Sequence, residues 1–321
     1  MSTTAPEQRT VPRASPGYLH DVLLWSGERD FVTRTAAFVM EGVAAGEPVL
    51  VAVPEPRSRA LQRHLGRAAD EVRFVDMAAL GANPACIIDA WSRFAEECRE
   101  QPSRGVGEPL WPGRREAEIA ECELHEALLN LAIGVDRPLW LRCPYDAAGL
   151  PDRVIQRACD VHPFVASTDG GTSVSKRYAG EGLGREGFTT PLPEPATQPV
   201  VRRIADGGTM KALRDLVEHA ATAAGVEWDR SIDLGLAVHE LAVNTITHGG
   251  GSGQLRLWSE PAALVCEVSD DGRVQDPLAG RHHPGDEAAQ GRGLWMVNQL
   301  CDLVQLRSGR HGTQVRIHTW L

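Results

Sequence analysis

HELAVNTITHGG, residues 239–250, contains an acid, an amide and an imidazole at even spacing. Glu240, Asn244 and His248 lie four residues apart. Because an α-helix has about 3.6 residues per turn, the spacing predicts a helix with a carboxylate, a carboxamide and an imidazole on one face. A stripe of this kind can also be the solvent-facing side of an amphipathic helix. The apolar residues expected to face a sheet are Leu236, Val243 and Ile246.

Two later motifs favour a ligand-binding site over a solvent-facing stripe. EVSDDGR (267–273) predicts a strand ending at Asp270, with Gly272 two residues on. A carboxylate there can accept a hydrogen bond from an amine, and the glycine lets the backbone come close, although Asp-Gly turns are common without a ligand. GRGLWMVNQL (291–300) opens a predicted helix with Gly291 and Gly293, whose neighbouring N–H groups could face phosphate oxygens or simply begin a helix.

Taken in order over about the last 120 residues, these motifs resemble the GHKL, or Bergerat, ATP-binding domain of histidine kinases, gyrase, Hsp90 and MutL. The resemblance implies ATP and Mg²⁺ as cofactors and Glu240 as the catalytic base. Asn244 would bind Mg²⁺ at the phosphates and Asp270 would read the adenine, supported by Thr313. Residues 273–290 would form a lid, in which Val274 replaces a glycine found in many members. The implied cofactor-binding positions are Asn244, His248, Asp270, Gly272, Gly291, Gly293, Leu294 and Thr313.

The first half of the chain alternates short apolar runs with helical patterns, which predicts an α/β domain with a mostly parallel sheet. The strands are expected at 21–25, 48–54, 72–76, 104–109, 138–143 and 163–167. The helices are expected near 28–45, 55–67, 84–100, 114–132 and 151–160.

The second half predicts an α+β two-layer sandwich, because two helices precede two closely spaced pairs of strands. Between the halves, residues 180–199 contain four Gly and four Pro, as expected of a connector. We therefore predict a disordered N-terminus (1–18), a first domain (19–168), a Gly/Pro-rich connector (169–199) and an ATPase-like domain (200–321).

Three stretches of the first half resemble the MEDS sensory domain, a relative of RecA/KaiC-type ATPases without a phosphate loop. They are GEPLWPGRREAEIAECELHEALLN (107–130), LRCPYD (141–146) and the His-Pro pair at 162–163, and GEPVLVAVP (46–54) belongs to the same region. The chain contains no GxxxxGK[ST] motif. The resemblance implies a sensory role, with a small-molecule signal.

Other hypotheses stay open in the first half. A metal could bind one face of the helix at 114–132, although a half-exposed charged helix explains the same residues: Glu118, Glu121, Cys122, His125 and Glu126. Cys143 could sense redox state or be a buried structural thiol, and His20 and His162 fit structural roles. An apolar signal pocket and ordinary core packing both account for Trp111, Trp140 and Tyr145.

Composition narrows the class of protein. A net charge of −10, with neither half basic, disfavours direct nucleic-acid binding. No apolar run is long enough to span a membrane and the N-terminus lacks a signal-peptide core, so we expect a cytoplasmic protein without a membrane segment. Seven cysteines without a CxxC pair argue against a disulfide framework.

Within the GHKL proteins, LAVHELAVNTITHG (236–249) closely resembles the compact anti-sigma-factor serine kinases. The Gly/Pro connector cannot form the helical hairpin that carries a histidine kinase's phosphoacceptor. That branch implies a kinase that phosphorylates a Ser or Thr of a STAS-type antagonist, binds a sigma factor and could form a homodimer. The alternatives are a non-catalytic ATP-binding partner switch, or a metal or redox sensor with a degenerate ATPase domain.

Overall fold

The computed structural model describes residues 17–167, 170–205, 207–285 and 291–321. The predicted disordered N-terminus therefore lies, up to residue 16, outside the described residues, as do positions 286–290 of the predicted lid. The chain divides into two compact units: the first comprises described residues up to 81 and 90–183, and the second comprises 82–89 and 184–321.

A seven-stranded sheet forms the centre of the first unit. Its strands are β1 (Leu19–Trp25), β2 (Val49–Val53), β3 (Val72–Asp76), β4 (Ser103–Gly107), β5 (Leu139–Asp146), β6 (Phe164–Ala166) and β7 (Thr172–Val174). They are arranged in the order β3-β2-β4-β5-β1-β6-β7. All neighbouring pairs are parallel except β6 and β7. The predicted mostly parallel α/β sheet is confirmed.

Helices alternate with these strands, as the apolar pattern predicted. They are α1 (Glu28–Ala44), α2 (Glu55–Leu65), α3 (Met77–Leu80), α4 (Ile87–Glu97), α5 (Glu116–Ala132) and α6 (Asp152–Val161). Every residue of β2 and β4 is buried, because helices cover both faces of a parallel sheet. Val51 of β2 packs in one core cluster with Phe38 and Val39 of α1 and Leu61 of α2.

The predicted Gly/Pro-rich connector contains regular structure that its composition did not indicate. Strand β7 pairs with β6, and helix α7 spans Gly182–Thr189. Phe188 on α7 is 3% exposed and belongs to the core of the second unit. The apolar contacts of this one aromatic side chain offset the poor helix propensity of the surrounding glycines.

The second unit is an antiparallel sheet covered by helices, which confirms the predicted α+β class. Its strands are β8 (Val200–Ile204), β9 (Gly253–Glu260), β10 (Ala263–Asp270), β11 (Leu303–Gly309) and β12 (Gly312–Trp320). They follow the order β11-β12-β10-β9-β8. The helices are α8 (Met210–Ala223), α9 (Trp228–His248) and α10 (Arg292–Leu300). Side chains of all three helices share a core cluster with this sheet.

Helix α9 is turned differently from the expectation for its apolar residues. Val243 is 38% exposed, and Leu236 and Ile246 are only partly buried. The buried positions instead recur at helical spacing: Leu234, Val238, Leu241 and Thr245. These residues lie three or four apart and form one stripe, whereas Val243 falls about 200° around the helix from Leu241.

Within the described ranges, every helix is too short or too polar to cross a bilayer.

Candidate functional site

Glu240 and Asn244, one turn apart on α9, face the start of α10. A methyl group added at Gly293 would lie 3.1 Å from Glu240 Oε2 and 3.5 Å from Asn244 Nδ2. The absence of a side chain at Gly293 therefore leaves the carboxylate and the carboxamide open to a group placed between the two helices. Both side chains are partly exposed, so they remain available to a ligand.

Asp270, the last residue of β10, is held by donors from two directions. Thr245 Oγ1 donates to Asp270 Oδ2 over 2.8 Å, and the Gly272 N–H donates to Asp270 Oδ1 over 2.9 Å. Each carboxylate oxygen has two lone pairs, so both oxygens can still accept a bond from a ligand amine. The end of α9 approaches closely, because a methyl group at Gly249 would lie 2.4 Å from the Asp270 carboxyl.

Thr313 on β12 lies opposite Asp270 in the sheet register. Its hydroxyl donates to Gly272 O over 2.9 Å and lies 2.8 Å from Ser308 Oγ. Ser308 Oγ in turn accepts from the Val274 N–H over 2.9 Å. These bonds fix the backbone that follows Asp270, so Thr313 supports the site through Gly272, while the hydroxyl bonded directly to Asp270 is that of Thr245.

Helix α10 starts from Gly291, whose φ of +89° lies in the left-handed region. Glycine adopts this conformation without a steric penalty, and it turns the chain sharply into the helix. The first N–H groups of a helix lack intrahelical partners and carry a partial positive charge, so an anion can bind them.

These features line one cavity of about 360 Å³ in the second unit. All eight positions predicted to bind the cofactor border it: Asn244, His248, Asp270, Gly272, Gly291, Gly293, Leu294 and Thr313. Glu240 lies beside it at Gly293. Arg273 and Val274, which belong to the predicted lid, also line the cavity. No motif in the sequence pointed to the other apolar walls, which are Leu241, Val268, Leu306 and Val315.

Thr245 and Ser308 are the polar residues that the sequence analysis missed. Thr245 is fully buried on the sheet-facing stripe of α9, where a hydroxyl needs a partner. Its position next to Asn244 was a signal that could have been used. Ser308 carried no comparable signal, because its contact depends on the pairing of β11 with β12.

In the first unit, the five residues proposed as a metal site on α5 have different surroundings. Glu118 accepts from the Arg115 N–H, and Cys122 Sγ lies 3.3 Å from Pro109 O. Glu126 lies 3.1 Å from His20 and 3.3 Å from His162. A helix alone therefore does not bring the five together.

Most of the residues considered for a signal pocket or a redox sensor in the first unit are buried. Trp140 and Tyr145 are 8% and 1% exposed, and Trp140 Nε1 donates to Asp21, which favours core packing over a shared signal pocket. Trp111 lies under the guanidinium of Arg114. Burial, and then the Glu126 carboxylate, raises the pKa of the Cys143 thiol well above its usual range, which argues against a reactive thiolate.

Each of the two units contains a segment that matches the model of a known family. Residues 19–163 match the family model of MEDS, the methanogen/methylotroph DcmR sensory domain. Residues 205–319 match that of the histidine kinase-like ATPase domain. None of the curated proteins matches this chain significantly.

Among solved structures, the crystal structure of the RsbU and RsbW domains of Rv1364c from Mycobacterium tuberculosis is 17% identical, with a TM-score of 0.30. That match covers 38% of this chain and 32% of the other, so it spans about a third of the solved structure. The two family matches confirm both resemblances noted in the sequence: the chain joins a MEDS-type sensory domain over residues 19–163 to a histidine kinase-like ATPase domain over residues 205–319.

Proposed function

We propose that this protein is a regulator whose second unit binds Mg-ATP and phosphorylates a Ser or Thr of a STAS-type antagonist protein. In this proposal the antagonist releases a sigma factor that the same unit binds, and the MEDS-type unit adjusts the exchange in response to a small-molecule signal. The observation that supports it is the convergence of eight predicted positions on one cavity, in a domain whose family match implies ATP binding.

The adenine end of the proposed site is at Asp270. A carboxylate that already accepts from Thr245 and Gly272 is fixed in position and can accept from an exocyclic amine. Val268, Leu306 and Val315 line the same cavity and provide apolar contacts for a flat ring.

The phosphate end of the proposed site is at α10. The N–H groups after Gly291 can donate to phosphate oxygens, and the carboxamide oxygen of Asn244 can bind Mg²⁺, which prefers oxygen ligands. ATP would supply the phosphoryl group, and Mg²⁺ would supply positive charge at its phosphates.

Glu240 is the proposed general base. Its carboxylate lies next to Gly293, at the phosphate end of the site. There it would accept the proton of the attacking Ser or Thr hydroxyl. A positioned base of this kind contributes about 10²–10⁴-fold in rate.

The experiment compares binding with transfer. Glu240→Gln should bind Mg-ATP like wild type in calorimetry, but transfer phosphate to a purified STAS-type antagonist about 10²–10⁴-fold more slowly. Asn244→Ala should lose Mg²⁺-dependent affinity, because an oxygen ligand is removed. Thr247→Ala, an exposed change on the same helix, serves as the control.

Each outcome separates the proposal from its rivals. Normal transfer by both site variants would remove Glu240 and Asn244 from the roles proposed for them, and no transfer by the wild-type protein would rule out the kinase assignment. ATP binding without transfer to any antagonist, together with ATP-dependent partner binding, would instead identify a non-catalytic partner switch. An absence of ATP binding would reject the cavity as the nucleotide site.

A further inference from the structure

A buried cluster in the first unit brings together two imidazoles, a thiol and a carboxylate. His20 lies on β1, Glu126 on α5, Cys143 on β5 and His162 directly after α6. None of the four residues is more than 1% exposed. One ligand atom from each lies within 4.8 Å of all the others. These four residues are referred to below as the His-Glu-Cys cluster.

Hydrogen bonds outside the cluster fix which nitrogen of each imidazole carries the proton. His162 Nδ1 lies 2.7 Å from Ala158 O, and a carbonyl can only accept, so this nitrogen carries the hydrogen. Asn130 Nδ2 donates to Val161 O over 2.8 Å, which turns its carboxamide oxygen toward His20 Nδ1 at 3.0 Å. His20 Nδ1 therefore also donates. In both neutral rings, Nε2 presents a lone pair to the cluster.

The atoms that meet inside the cluster are mainly acceptors. Glu126 Oε2 lies 3.1 Å from His20 Nε2, 3.3 Å from His162 Nε2 and 3.5 Å from Cys143 Sγ. The one thiol proton can bridge a single pair. His162 Nε2 and Glu126 Oε1 are buried and have no hydrogen-bond partner among the described residues. Protonating both imidazoles would satisfy the contacts, but it would leave two cations facing one carboxylate in a buried site.

A divalent cation resolves the conflict in charge and in geometry. Zn²⁺ binds nitrogen, oxygen and sulfur at about 2.0–2.3 Å, so neighbouring ligands of a tetrahedral site lie about 3.3–3.8 Å apart. Four of the six distances between cluster atoms, from 3.1 to 3.5 Å, are close to that range, and all six are within 4.8 Å. A thiolate and a carboxylate would neutralise the ion, which suits a fully buried position.

The surroundings of the imidazoles also match those of metal ligands. A histidine that binds a metal generally donates its other N–H to a carbonyl or carboxyl group, which fixes the ring and its tautomer. Ala158 O and the Asn130 carboxamide have this role here. Ordinary buried histidines can make one such bond, but two imidazoles oriented toward the same carboxylate and thiol need a further explanation.

We propose that His20 Nε2, His162 Nε2, Cys143 Sγ and the Glu126 carboxylate bind one Zn²⁺ in a closed, four-coordinate site. Binding replaces the thiol proton of Cys143, which is released to solvent, and forms a sulfur–zinc bond. The ion links β1 and β5 to residues of α5 and the end of α6, and His20 and Cys143 are 123 positions apart in sequence. It therefore stabilises the MEDS-type unit. This proposal is independent of the proposed kinase function.

The test measures metal in the full-length protein, purified without a metal-affinity tag. Mass spectrometry of the digested protein should find about one zinc per chain after gel filtration. After removal of zinc with a chelator, Co²⁺ should produce the visible bands of a tetrahedral site and a thiolate-to-cobalt charge-transfer band. The thermal midpoint should fall without metal and recover with Zn²⁺.

Two substitutions define the ligands. Cys143→Ser should abolish the charge-transfer band, and His162→Gln should reduce the metal content and weaken Co²⁺ binding at least about tenfold. Cys122→Ser is the matched control, since Cys122 is fully buried in the same unit but its thiol contacts Pro109 O. This variant should keep both the zinc and the cobalt spectrum.

If the ligand variants fail to fold, X-ray absorption spectroscopy of the wild-type protein tests the proposed ligands instead. It should show one sulfur and three nitrogen or oxygen neighbours around zinc. Wild-type protein that neither holds zinc nor develops cobalt bands would overturn the proposal. So would an unchanged charge-transfer band in Cys143→Ser, or a zinc environment without sulfur.

Discussion

At the scale of single residues, Asp270 is the best-defined group in the cavity of the second unit. Its two carboxylate oxygens accept from different segments, Thr245 on α9 and the backbone N–H of Gly272. Thr313 fixes Gly272 from the other side through its carbonyl. The carboxylate is thus positioned before any ligand binds, which reduces the entropy lost on binding.

Asp270→Asn should weaken binding of Mg-ATP about tenfold to a hundredfold. The carboxylate offers an acceptor to the adenine amine, whereas the NH₂ group of the asparagine would place a donor against that amine. An unmatched buried polar group costs about 1–3 kcal/mol. Calorimetry measures the change, with Asp271→Asn as the control because that neighbouring acid is exposed. Equal affinities for wild type and Asp270→Asn would remove Asp270 from the nucleotide site.

Glu108, directly after β4, should make the stability of the first unit depend on pH. Burial raises the pKa of its carboxyl from 4.5 to about 8, with Arg57 opposing the shift and Asp146 adding to it. The folded state therefore holds a proton that the unfolded state has lost between pH 4.5 and 8. Stability should fall as pH rises through this window, by up to about 1.4 kcal/mol per pH unit.

Denaturant unfolding at several pH values measures that slope. Glu108→Gln cannot titrate and should flatten it, while Glu97→Gln, which removes a half-exposed acid from the surface of α4, should not. The same slope in wild type and Glu108→Gln would show that the carboxyl is ionised throughout.

At the scale of elements, α9 carries two functions on two faces. Leu234, Val238 and Leu241 pack against the sheet, while Glu240 and Asn244 face α10. The turn of about 100° per residue separates these sets even though they alternate in sequence. Fixing the apolar face therefore fixes the direction of the polar one.

Leu241→Ala should destabilise the second unit by about 2–5 kcal/mol, because Leu241 is 2% exposed and its loss leaves a cavity. Val243→Ala, at a position that is 38% exposed, should change stability by less than about 0.5 kcal/mol. Unfolding in urea without nucleotide compares the two. A larger loss for Val243→Ala would contradict the observed orientation of α9.

At the scale of the whole molecule, the part of the connector from residue 184 onward belongs to the second unit. Phe188 packs in its core, and the Leu192 N–H donates to Gln314 over 3.1 Å. Pro193 O accepts from Arg316 over 2.7 Å. The start of the ATPase family match at residue 205 is therefore later than the start of the compact unit.

A fragment of residues 184–321 should be more stable than one of residues 197–321, by about 3–5 kcal/mol from the buried phenylalanine alone. Thermal or urea unfolding of the two fragments gives the difference. Phe188→Ala in the longer fragment is the matched test, and it should remove most of the gain. Equal stability of the two fragments would show that α7 adds nothing to this unit.

The sequence by itself determined the order and type of nearly all helices and strands, because period-2, period-3.6 and wholly apolar patterns are local. It also identified eight of the residues that line the cavity of the second unit, through motifs with fixed spacing. Tertiary structure decided what depends on distant segments. Three features depend on residues far apart in the chain: the hydrogen bond from Thr245 to Asp270, the packing of Phe188 in the core of the second unit, and the His-Glu-Cys cluster. Glu126 shows the reason. Its spacing along α5 suggested that it shares a metal site with its helical neighbours, but its contacts in the structure are His20 on β1 and His162 after α6. The pairing of β1 with β5 and the position of α6 bring these residues together, and no local spacing encodes that packing.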